Sequence, residues 1–252
     1  GQIGMGYDLL LDQTSHTYTH ARACACHSGF QLVAGVEPEH KKRQAFEKEY
    51  HVESYTDVES ALSDSEPDVV IISTPTPLHC DTLRRILANT RPKVILCEKP
   101  LSYSVTEAIE MVRACADNEV LLYVNYYRRS DPGAIEIKRR LDSGEIKTPV
   151  KGMAWYSKGL KHNGSHYINL LEYWLGPAQN PKIINRGNIW GEIDKEPDFQ
   201  ISFGRGEVLF MGAWEEKFSH HTIELLSENG RLRYDQGGGL IQFDAVTESL
   251  IF

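Results

Sequence analysis

The sequence has no long apolar run, no basic run and no paired-cysteine motif, and each absence excludes a class of protein. No apolar stretch approaches the roughly 18 residues that a membrane-spanning helix needs, so no membrane partner is predicted. Lys and Arg form no cluster and the net charge is −8, which argues against nucleic acid as a partner. The five cysteines include no CxxC pair, so we predict reduced thiols, no metal site and a cytoplasmic location.

Between residues 31 and 125, short apolar runs alternate with amphipathic stretches. Strands alternating with helices indicate parallel βαβ units with right-handed crossovers. The expected product is a doubly wound parallel sheet, whose ligands bind beyond the carboxyl ends of its strands. Strands are predicted at 31–36, 68–74, 93–97 and 119–125, and helices at 39–50, 78–88 and from a Ser104–Glu107 capping box to about residue 117. The near-continuous apolar run at 68–74 predicts a strand buried on both faces.

The pattern changes after Asp131, where Pro132 can open a helix that continues to Gly144. Another helix is predicted at 165–175, ended by Gly176. Beyond residue 181 the chain reads as short strands and turns, which is typical of an antiparallel meander. Its predicted strands include 199–203, 207–214, 222–226 and 231–234. We therefore predict an α/β dinucleotide-binding domain over 1–126 and an α+β domain with a mainly antiparallel sheet over 127–252.

The chain opens on a glycine-rich stretch, Gly1-Gln2-Ile3-Gly4. A dinucleotide fold needs such a turn, followed by a helix N-terminus that faces the pyrophosphate. Gly1 and Gly4 fit the second and third glycines of G-x-G-x-x-G, so the first glycine and its strand are expected before residue 1. We predict that Gly1, Gln2, Ile3 and Gly4 contact the cofactor, although a plain loop can also be glycine-rich.

An acidic residue, Glu37, follows the first predicted strand. A carboxylate there can accept hydrogen bonds from both ribose hydroxyls and repel the 2′-phosphate of NADP, so NAD is the predicted cofactor. Gly4 lies 33 residues before Glu37, farther than the usual spacing of about 20, so an insertion near residues 12–20 is expected. The alternative is an ordinary solvated carboxylate.

Two further motifs follow predicted strands. The loop at 74–79, Thr-Pro-Thr-Pro-Leu-His, is rigid and suits contact with a nicotinamide or ribose, although prolines also mark simple turns. We include Thr74, Pro75 and His79 among the cofactor contacts. Lys99 follows the strand at 93–97. A buried ammonium is costly there unless it has an ion-pair partner, for which Glu98 is the candidate, or a role in the reaction. It can move the proton of a reacting hydroxyl.

A histidine pair, His162 and His166, flanks Asn163 at the start of the helix predicted over 165–175. If both are helical, their four-residue spacing places them on one face. His166 can act as a general acid or base near neutral pH. The pair could also bind zinc, but position 163 lacks the glutamate of HExxH, so a metal is not predicted.

Five motifs occur in one order along nearly the whole chain. They are Gly1-Gln2-Ile3-Gly4, the Thr-Pro-x-Pro-x-His loop at 74–79, Glu98-Lys99-Pro100, Asn125-Tyr126-Tyr127-Arg128-Arg129 with Asp131-Pro132, and Gly164-Ser165-His166-Tyr167-Ile168-Asn169-Leu170-Leu171. In this order they resemble the glucose–fructose oxidoreductase/inositol dehydrogenase (Gfo/Idh/MocA) family. Glu98-Lys99-Pro100 after a buried strand is the most specific of them.

The resemblance implies an N-terminal Rossmann domain and a C-terminal domain whose open-faced sheet forms homodimers or homotetramers. It implies hydride transfer between a nicotinamide and a hydroxyl-bearing carbon of a sugar, cyclitol or nucleotide-sugar, in a cleft between the domains. Lys99 and His166 become the catalytic residues, with His162 assisting. Cofactor contacts extend to Glu98, Lys99 and Asn125, and substrate contacts to Arg128 and Asn163.

The sequence departs from the family pattern where an aspartate often stands four residues before the histidine, because that position is His162. Two alternatives therefore stay open: a glycoside-cleaving member that oxidises its substrate transiently, and an NAD-binding sensor or scaffold without catalysis. The chain is also shorter than the family, so segments are expected beyond both ends. The sheet carries many large apolar residues, which predicts that a partner subunit covers one face. They are Trp190, Phe199, Phe203, Phe210 and Trp214.

Overall fold

The chain divides after Asn125 into two units, Gly1–Asn125 and Tyr126–Phe252, one residue before the predicted boundary. The coordinates are a computed structural model, which describes residues 1–12, 15–191, 194–213 and 219–246. Each unit has a hydrophobic core of its own.

The first unit is built on short parallel strands with helices between them. β3, β4 and β5 form one parallel sheet in that order, and β1 and β2 form a separate parallel pair. The strands are β1 (Gly35–Val36), β2 (Ser54–Tyr55), β3 (Val69–Ile72), β4 (Val94–Cys97) and β5 (Leu121–Val124). The helices are α1 (His20–Cys26), α2 (His40–Tyr50), α3 (Val58–Asp64), α4 (His79–Asn89) and α5 (Val105–Asp117). The predicted parallel βαβ architecture is confirmed.

A cavity of about 750 Å³ separates the two sheets of the first unit, and residues of β1 and β3 line it. Among the described residues, β1 pairs only with β2 and β3 only with β4, so each has an open edge. In the doubly wound order, the strand before the glycine turn lies between these two. The predicted strand at 31–36 therefore shrinks to β1, because residues 31–34 have no neighbouring strand to pair with. Full burial of 68–74 is also wrong, since only Ile72 of β3 is buried.

Helix α5 begins at the predicted N-cap, where the Ser104 hydroxyl accepts a hydrogen bond from the Glu107 N–H. The second half of the capping box does not form. The Glu107 carboxylate instead accepts the Ser102 hydroxyl proton at 2.6 Å, and the Ser104 N–H donates to the Ser102 oxygen at 3.0 Å. Ser102 therefore bridges the Glu107 carboxylate and the Ser104 N–H, which would bind each other directly in a complete box.

The second unit is a seven-stranded sheet in the order β12-β11-β10-β6-β9-β8-β7. β6 and β9 are parallel and every other neighbouring pair is antiparallel, so the predicted mainly antiparallel sheet is confirmed, with one parallel pair at its centre. The cause is β6, a central strand that the sequence pattern did not reveal. The strands are β6 (Val150–Tyr156), β7 (Gln179–Trp190), β8 (Asp194–Phe203), β9 (Gly206–Gly212), β10 (Thr222–Ser227), β11 (Gly230–Asp235) and β12 (Leu240–Ala245).

Two helices of the second unit, α6 (Pro132–Ser143) and α7 (Ser165–Leu175), share a core with the sheet. α6 begins at Pro132 as predicted, with the Asp131 carboxylate accepting the Gly133 N–H, and ends at Gly144, whose φ of 78° suits glycine. The indole of Trp174 is fully buried and donates to the Ala134 carbonyl at 3.0 Å, which ties α7 to α6.

The aromatic residues predicted to lie under a partner subunit belong to this core. Phe199, Phe203 and Phe210 are buried, because they point into the face of the sheet that the helices cover. Trp190 stacks on His162, and Trp214 lies outside the described residues. The apolar side chains that remain exposed on this sheet include Ile183, Ile184 and Ile189 of the edge strand β7.

Candidate cofactor and substrate sites

The glycine stretch forms a tight π-helical turn, Gln2–Gly6, against the residue that follows β3. A Cβ atom on Gly4 would lie 2.8 Å from Ser73 Oγ, and one on Gly1 would lie 3.3 Å from the Ser73 carbonyl oxygen. Glycine at position 4 therefore lets the turn sit on the carboxyl end of β3 without displacing Ser73. This close approach is what a pyrophosphate-binding turn requires.

The helix expected after the turn begins only at His20, because an irregular segment lies between them. Asp8, fully buried, holds that segment in place. Its carboxylate accepts the Thr19 hydroxyl at 2.7 Å and the N–H groups of Tyr18 and Thr19 at 2.6 and 2.9 Å. Burial alone would raise the pKa of Asp8, but these hydrogen bonds and the nearby Arg22 guanidinium lower it. Asp8 thus ties the start of this crossover to residues 18 and 19.

Glu37 lies directly after β1 and lines the same cavity as Gly1 and Gly4. Its Oε1 accepts the Glu39 N–H at 3.1 Å, and its Oε2 lies 3.3 Å from the terminal amine of Gly1. The side chain is 23% exposed. A partly exposed carboxylate this close to the glycine turn can accept hydrogen bonds from a ligand bound there.

The loop after β3 brings one polar side chain to the cavity and buries another. Thr74 lines the cavity, and its buried hydroxyl has no hydrogen-bond partner in the described part of the chain. Pro75 is exposed and precedes a 3₁₀ turn, Thr76–Leu78. His79 is fully buried, with Nε2 2.9 Å from the Thr74 carbonyl and Nδ1 3.2 Å from that of Leu101. His79 therefore fixes the loop and can reach a cofactor only through it.

Glu98 is the centre of a hydrogen-bond network after β4. Its Oε1 lies 2.7 Å from His20 Nε2 and accepts the Asn125 amide at 2.6 Å, while Oε2 accepts the Lys99 N–H at 3.3 Å. Burial would raise the pKa of Glu98, but the bonds from His20 and Asn125 lower it. The carboxylate expected to partner Lys99 is thus bound by His20 and Asn125. No local pattern could have found His20, which is 78 residues away.

In the second unit, His166 lies buried in the first turn of α7. The rings of Tyr126 and Tyr127 meet it edge-on, each with its centroid 5.6 Å from that of the imidazole. Burial raises the pKa of Tyr126, although a hydrogen bond with Ser165 opposes the shift. Two tyrosines therefore fix the orientation of this imidazole.

His162 and Asn163 lie in a π-helical turn, Leu160–Gly164, that precedes α7. The His162 ring stacks on Trp190 with centroids 4.9 Å apart, and the Asn163 amide donates to the Ser157 carbonyl at 3.0 Å. The condition for a common face, that both histidines lie in one α-helix, is not met, because His162 lies in the π turn and His166 in α7. The two imidazoles consequently contact different aromatic residues.

Two buried carboxylates of β8, Asp194 and Glu196, hold this turn and were missed by the sequence analysis. Asp194 accepts the N–H groups of Lys161 and His162 at 3.0 and 2.8 Å, and Glu196 accepts that of Gly159 at 2.9 Å. Acidic residues two apart in a strand share a face, which is the signal that could have revealed them.

Arg128 lies half-buried in the second unit. Its guanidinium carbon is 5.3 Å from the ring centroid of Tyr127 and 5.9 Å from that of Tyr167, and Nη1 donates to the Gly237 carbonyl. Tyr127 therefore contacts both Arg128 and His166. Within the described ranges, no three metal-binding side chains cluster and no helix has the length and apolarity to span a membrane.

Parallel strands, a glycine turn against β3 and an acidic residue after β1 define a dinucleotide-binding α/β unit. Residues 10–126 match the model of the GFO/IDH/MocA oxidoreductase family, described as an NAD-binding Rossmann fold. Residues 10–126 therefore carry the NAD-binding Rossmann fold of this family, as the motifs predict.

Curated relatives include inositol dehydrogenases. The scyllo-inositol 2-dehydrogenase (NAD(+)) of Bacillus subtilis (strain 168) is 32% identical over 201 residues, which cover 71% of this chain and 58% of the relative. The inositol 2-dehydrogenase of Mycolicibacterium smegmatis is 38% identical over 91 residues, 36% of this chain and 26% of that protein. The chain thus spans less than two thirds of the length of these relatives.

Solved structures share the fold at low sequence identity. The WlbA dehydrogenase from Bordetella pertussis, in complex with NADH and UDP-GlcNAcA, superimposes with a TM-score of 0.78 at 17% identity, covering 92% of this chain and 78% of that one. The myo-inositol 2-dehydrogenase from Lactobacillus plantarum gives a TM-score of 0.70 at 20% identity, covering 85% and 71%.

Proposed function

We propose that the chain acts as an NAD-dependent oxidoreductase that transfers hydride between a nicotinamide and the hydroxyl- or ketone-bearing carbon of a sugar, cyclitol or nucleotide-sugar. The observation that carries the proposal is the glycine turn, which rests on Ser73 after β3, with Glu37 after β1 and Thr74 after β3 near it. In a doubly wound sheet, dinucleotides bind beyond these carboxyl ends of the strands. Similarity to inositol dehydrogenases supports the substrate class.

The residues of the first unit fit the cofactor. Gly4 permits the close approach of the turn, the buried Thr74 hydroxyl has a free hydrogen-bonding group, and Glu37 can accept two ribose hydroxyls. NAD, when bound, accepts or donates the hydride. Gln2, Ile3 and Pro75 lie in the loops around it, while His79, Glu98 and Asn125 hold those loops in shape.

Lys99 and His166 hold and move the proton of the reacting hydroxyl. Lys99 follows β4, where parallel strands present ligand-binding groups, and His166 is oriented by two tyrosines. His162 and Asn163 shape the turn before α7, and Arg128 orients the substrate. Asp194 supports this turn through main-chain N–H groups, so an acidic residue acts here although none stands at position 162.

Turnover of single and double variants tests this mechanism. We expect Lys99→Ala and His166→Ala each to lower kcat by about 10²–10⁴, the usual span for general acid–base groups. The double variant should be little worse than the poorer single variant, because residues that act as a unit are non-additive. The measurement is NADH formation on a panel of polyols, sugars and nucleotide-sugars.

Exposed residues of the same types supply the controls: Lys151→Ala and His40→Ala should keep wild-type turnover. Near-wild-type turnover in His166→Ala would refute the mechanism. Cofactor that cycles without net NADH would identify a glycoside-cleaving member. Tight NADH binding without turnover on any substrate would identify a non-catalytic NAD-binding protein.

Glu37 makes NAD(H) the preferred cofactor. The carboxylate accepts ribose hydrogen bonds and repels a 2′-phosphate, so NAD(H) should bind at least about tenfold more tightly than NADP(H). Glu37→Ser should remove most of this preference, whereas Glu53→Ser, an exposed change, should leave it intact. Fluorescence titration of both cofactors measures the ratio. Tighter NADP(H) binding by the unmodified chain would contradict the assignment.

The sheet of the second unit forms a homodimer or homotetramer through its edge strand β7. Ile183, Ile184 and Ile189 are each about three-fifths exposed there, and such apolar side chains are stabilised when a second copy covers them. Sedimentation velocity at micromolar concentration should show an oligomer that Ile183→Glu/Ile189→Glu dissociates. A monomeric unmodified chain would exclude this interface.

A further inference from the structure

The guanidinium of Arg128 has no acidic partner in the described part of the chain. Its polar contacts there are with the Gly237 carbonyl and the Tyr234 hydroxyl, and it packs over the rings of Tyr127 and Tyr167. Nε is buried and donates to no group. A cation removed from water in this way is stabilised fully only when an anion joins it.

Two more polar atoms beside Arg128 have no hydrogen-bond partner within the described ranges. The Tyr167 hydroxyl is one, on a side chain that is only 1% exposed, and Nδ1 of His221 is the other. The rings of Tyr167 and His221 stack with centroids 5.6 Å apart, so the two side chains and the guanidinium of Arg128 form one cluster. A buried polar group without a partner costs about 1–3 kcal/mol.

The unpaired atoms of this cluster can all donate hydrogen bonds, so a ligand that binds there must supply acceptor atoms. Arg Nε–H is a donor only, and the Tyr hydroxyl can donate its proton to an oxygen. His221 can donate through Nδ1 in one of its neutral tautomers. The Nε–H of Arg128, the Tyr167 hydroxyl and His221 Nδ1 are three donors that can bind the two oxygens of a carboxylate. A carboxylate accepts a stronger hydrogen bond from the charged guanidinium than a neutral hydroxyl would.

We propose that Arg128, Tyr167 and His221 form a subsite for a carboxylate of the substrate, so that the chain acts on an acidic sugar such as a uronic or aldonic acid. This inference rests on the proposed function and narrows its substrate class. Tyr127 links the subsite to His166, because its ring contacts both Arg128 and the imidazole. One substrate can therefore place its carboxylate at Arg128 and its reacting hydroxyl at His166.

The charge balance favours a monoanion. His221 faces three other basic groups, Arg128, Lys158 and His220, and burial together with these charges lowers its pKa to about 4. His221 is therefore neutral near pH 7, and Arg128 is the buried cation of the cluster. One carboxylate neutralises one guanidinium, whereas a phosphate dianion would leave a buried negative charge.

Equilibrium binding to the 252-residue chain, measured by calorimetry, tests the subsite with glucuronate and glucose as probes. Glucuronate should bind about tenfold or more tightly than glucose, because a charge-assisted hydrogen bond replaces a neutral one. Arg128→Gln should abolish this preference, and Tyr167→Phe should reduce it several-fold. Arg186→Gln, which removes the same charge from an exposed position, should leave it unchanged.

Proton NMR of the His221 ring gives a readout that a purely structural role would not move. A carboxylate beside the imidazole stabilises its protonated form, so glucuronate should raise the pKa of His221 above about 4. Glucose should leave that pKa where it is. A shift of the same size with both sugars would overturn the inference.

Three other outcomes would also overturn it: equal affinity for glucuronate and glucose, unchanged preference in Arg128→Gln, or competition by inorganic phosphate as strong as that by glucuronate. The last would assign the cluster to a phosphate group instead. Oxidation of neutral polyols by a chain that shows no preference for glucuronate would reject the subsite and keep the proposed function. Absence of both NAD(H) binding and turnover would reject the proposed function itself.

Discussion

Two arginines, Arg22 in the first unit and the half-buried Arg128 in the second, show how the same side chain is used in opposite ways. Arg22 is 1% exposed and lies within 3.9 Å of Asp8 and 3.3 Å of Glu49, and it donates to the carbonyls of Leu11 and His16. Arg128 has aromatic rings, a hydroxyl and one carbonyl around it. Arg22 is compensated by the fold itself, whereas Arg128 is arranged for a partner that arrives from outside.

The comparison predicts whether each cluster contributes to the free energy of folding or to the free energy of ligand binding. A cluster in which the fold supplies carboxylates, such as the one at Arg22, stabilises the crossover that follows the glycine turn. A cluster without a carboxylate among the described residues, such as the one at Arg128, leaves polar groups unpaired and so lowers folding stability. A ligand that pairs with these groups gains affinity by the same interactions. Substitutions in the first should therefore change unfolding, and substitutions in the second should change affinity.

The largest effect is expected at Arg22. Arg22→Met leaves the Asp8 carboxylate buried without its cation and should lower the free energy of unfolding by about 3–5 kcal/mol. Arg113→Met, an exposed change on α5, should cost little. Urea denaturation followed by circular dichroism provides the measurement. Equal losses for both variants would show that the ion pairs of Arg22 do not stabilise the first unit.

A smaller difference in the free energy of unfolding is expected between variants of two buried tyrosines of the second unit. The Tyr156 hydroxyl donates to the Pro197 carbonyl at 2.6 Å, so Tyr156→Phe leaves that acceptor unpaired and should cost about 1–3 kcal/mol. The Tyr167 hydroxyl has no partner among the described residues, so Tyr167→Phe should leave stability unchanged or raise it slightly. Urea denaturation of the two variants under the same conditions measures this difference. A loss in Tyr167→Phe as large as in Tyr156→Phe would mean that its hydroxyl is already satisfied.

Local signals account for the elements that the sequence predicted best. Asp131, Pro132 and Gly144 set both ends of α6, and Ser104 sets the start of α5, because caps act within one turn of the helix. Strand bounds were less accurate, because pairing depends on distant segments. Residues 31–34 have strand-like composition but no neighbouring strand among the described residues, and β6 is defined by its pairing with β9 and β10.

The candidate site divides in the same way. Motifs contiguous in sequence, such as Glu98-Lys99-Pro100, marked positions after strands correctly, because a parallel sheet gathers those ends at one edge. The contacts around them could not be predicted, since His20, Glu98 and Asn125 are far apart in the chain. The same holds for Asp194, which supports the turn at His162 from a strand 32 residues later.

The cavity between β1 and β3 makes the glycine turn and the sheet thermodynamically linked. Gly4 rests on Ser73 at the end of β3, and among the described strands only β4 pairs with β3. An extended segment that hydrogen-bonds to the open edges would rigidify this support, and a dinucleotide held by the turn would hold the edges in place. By reciprocity, each would raise the affinity of the other by the same factor.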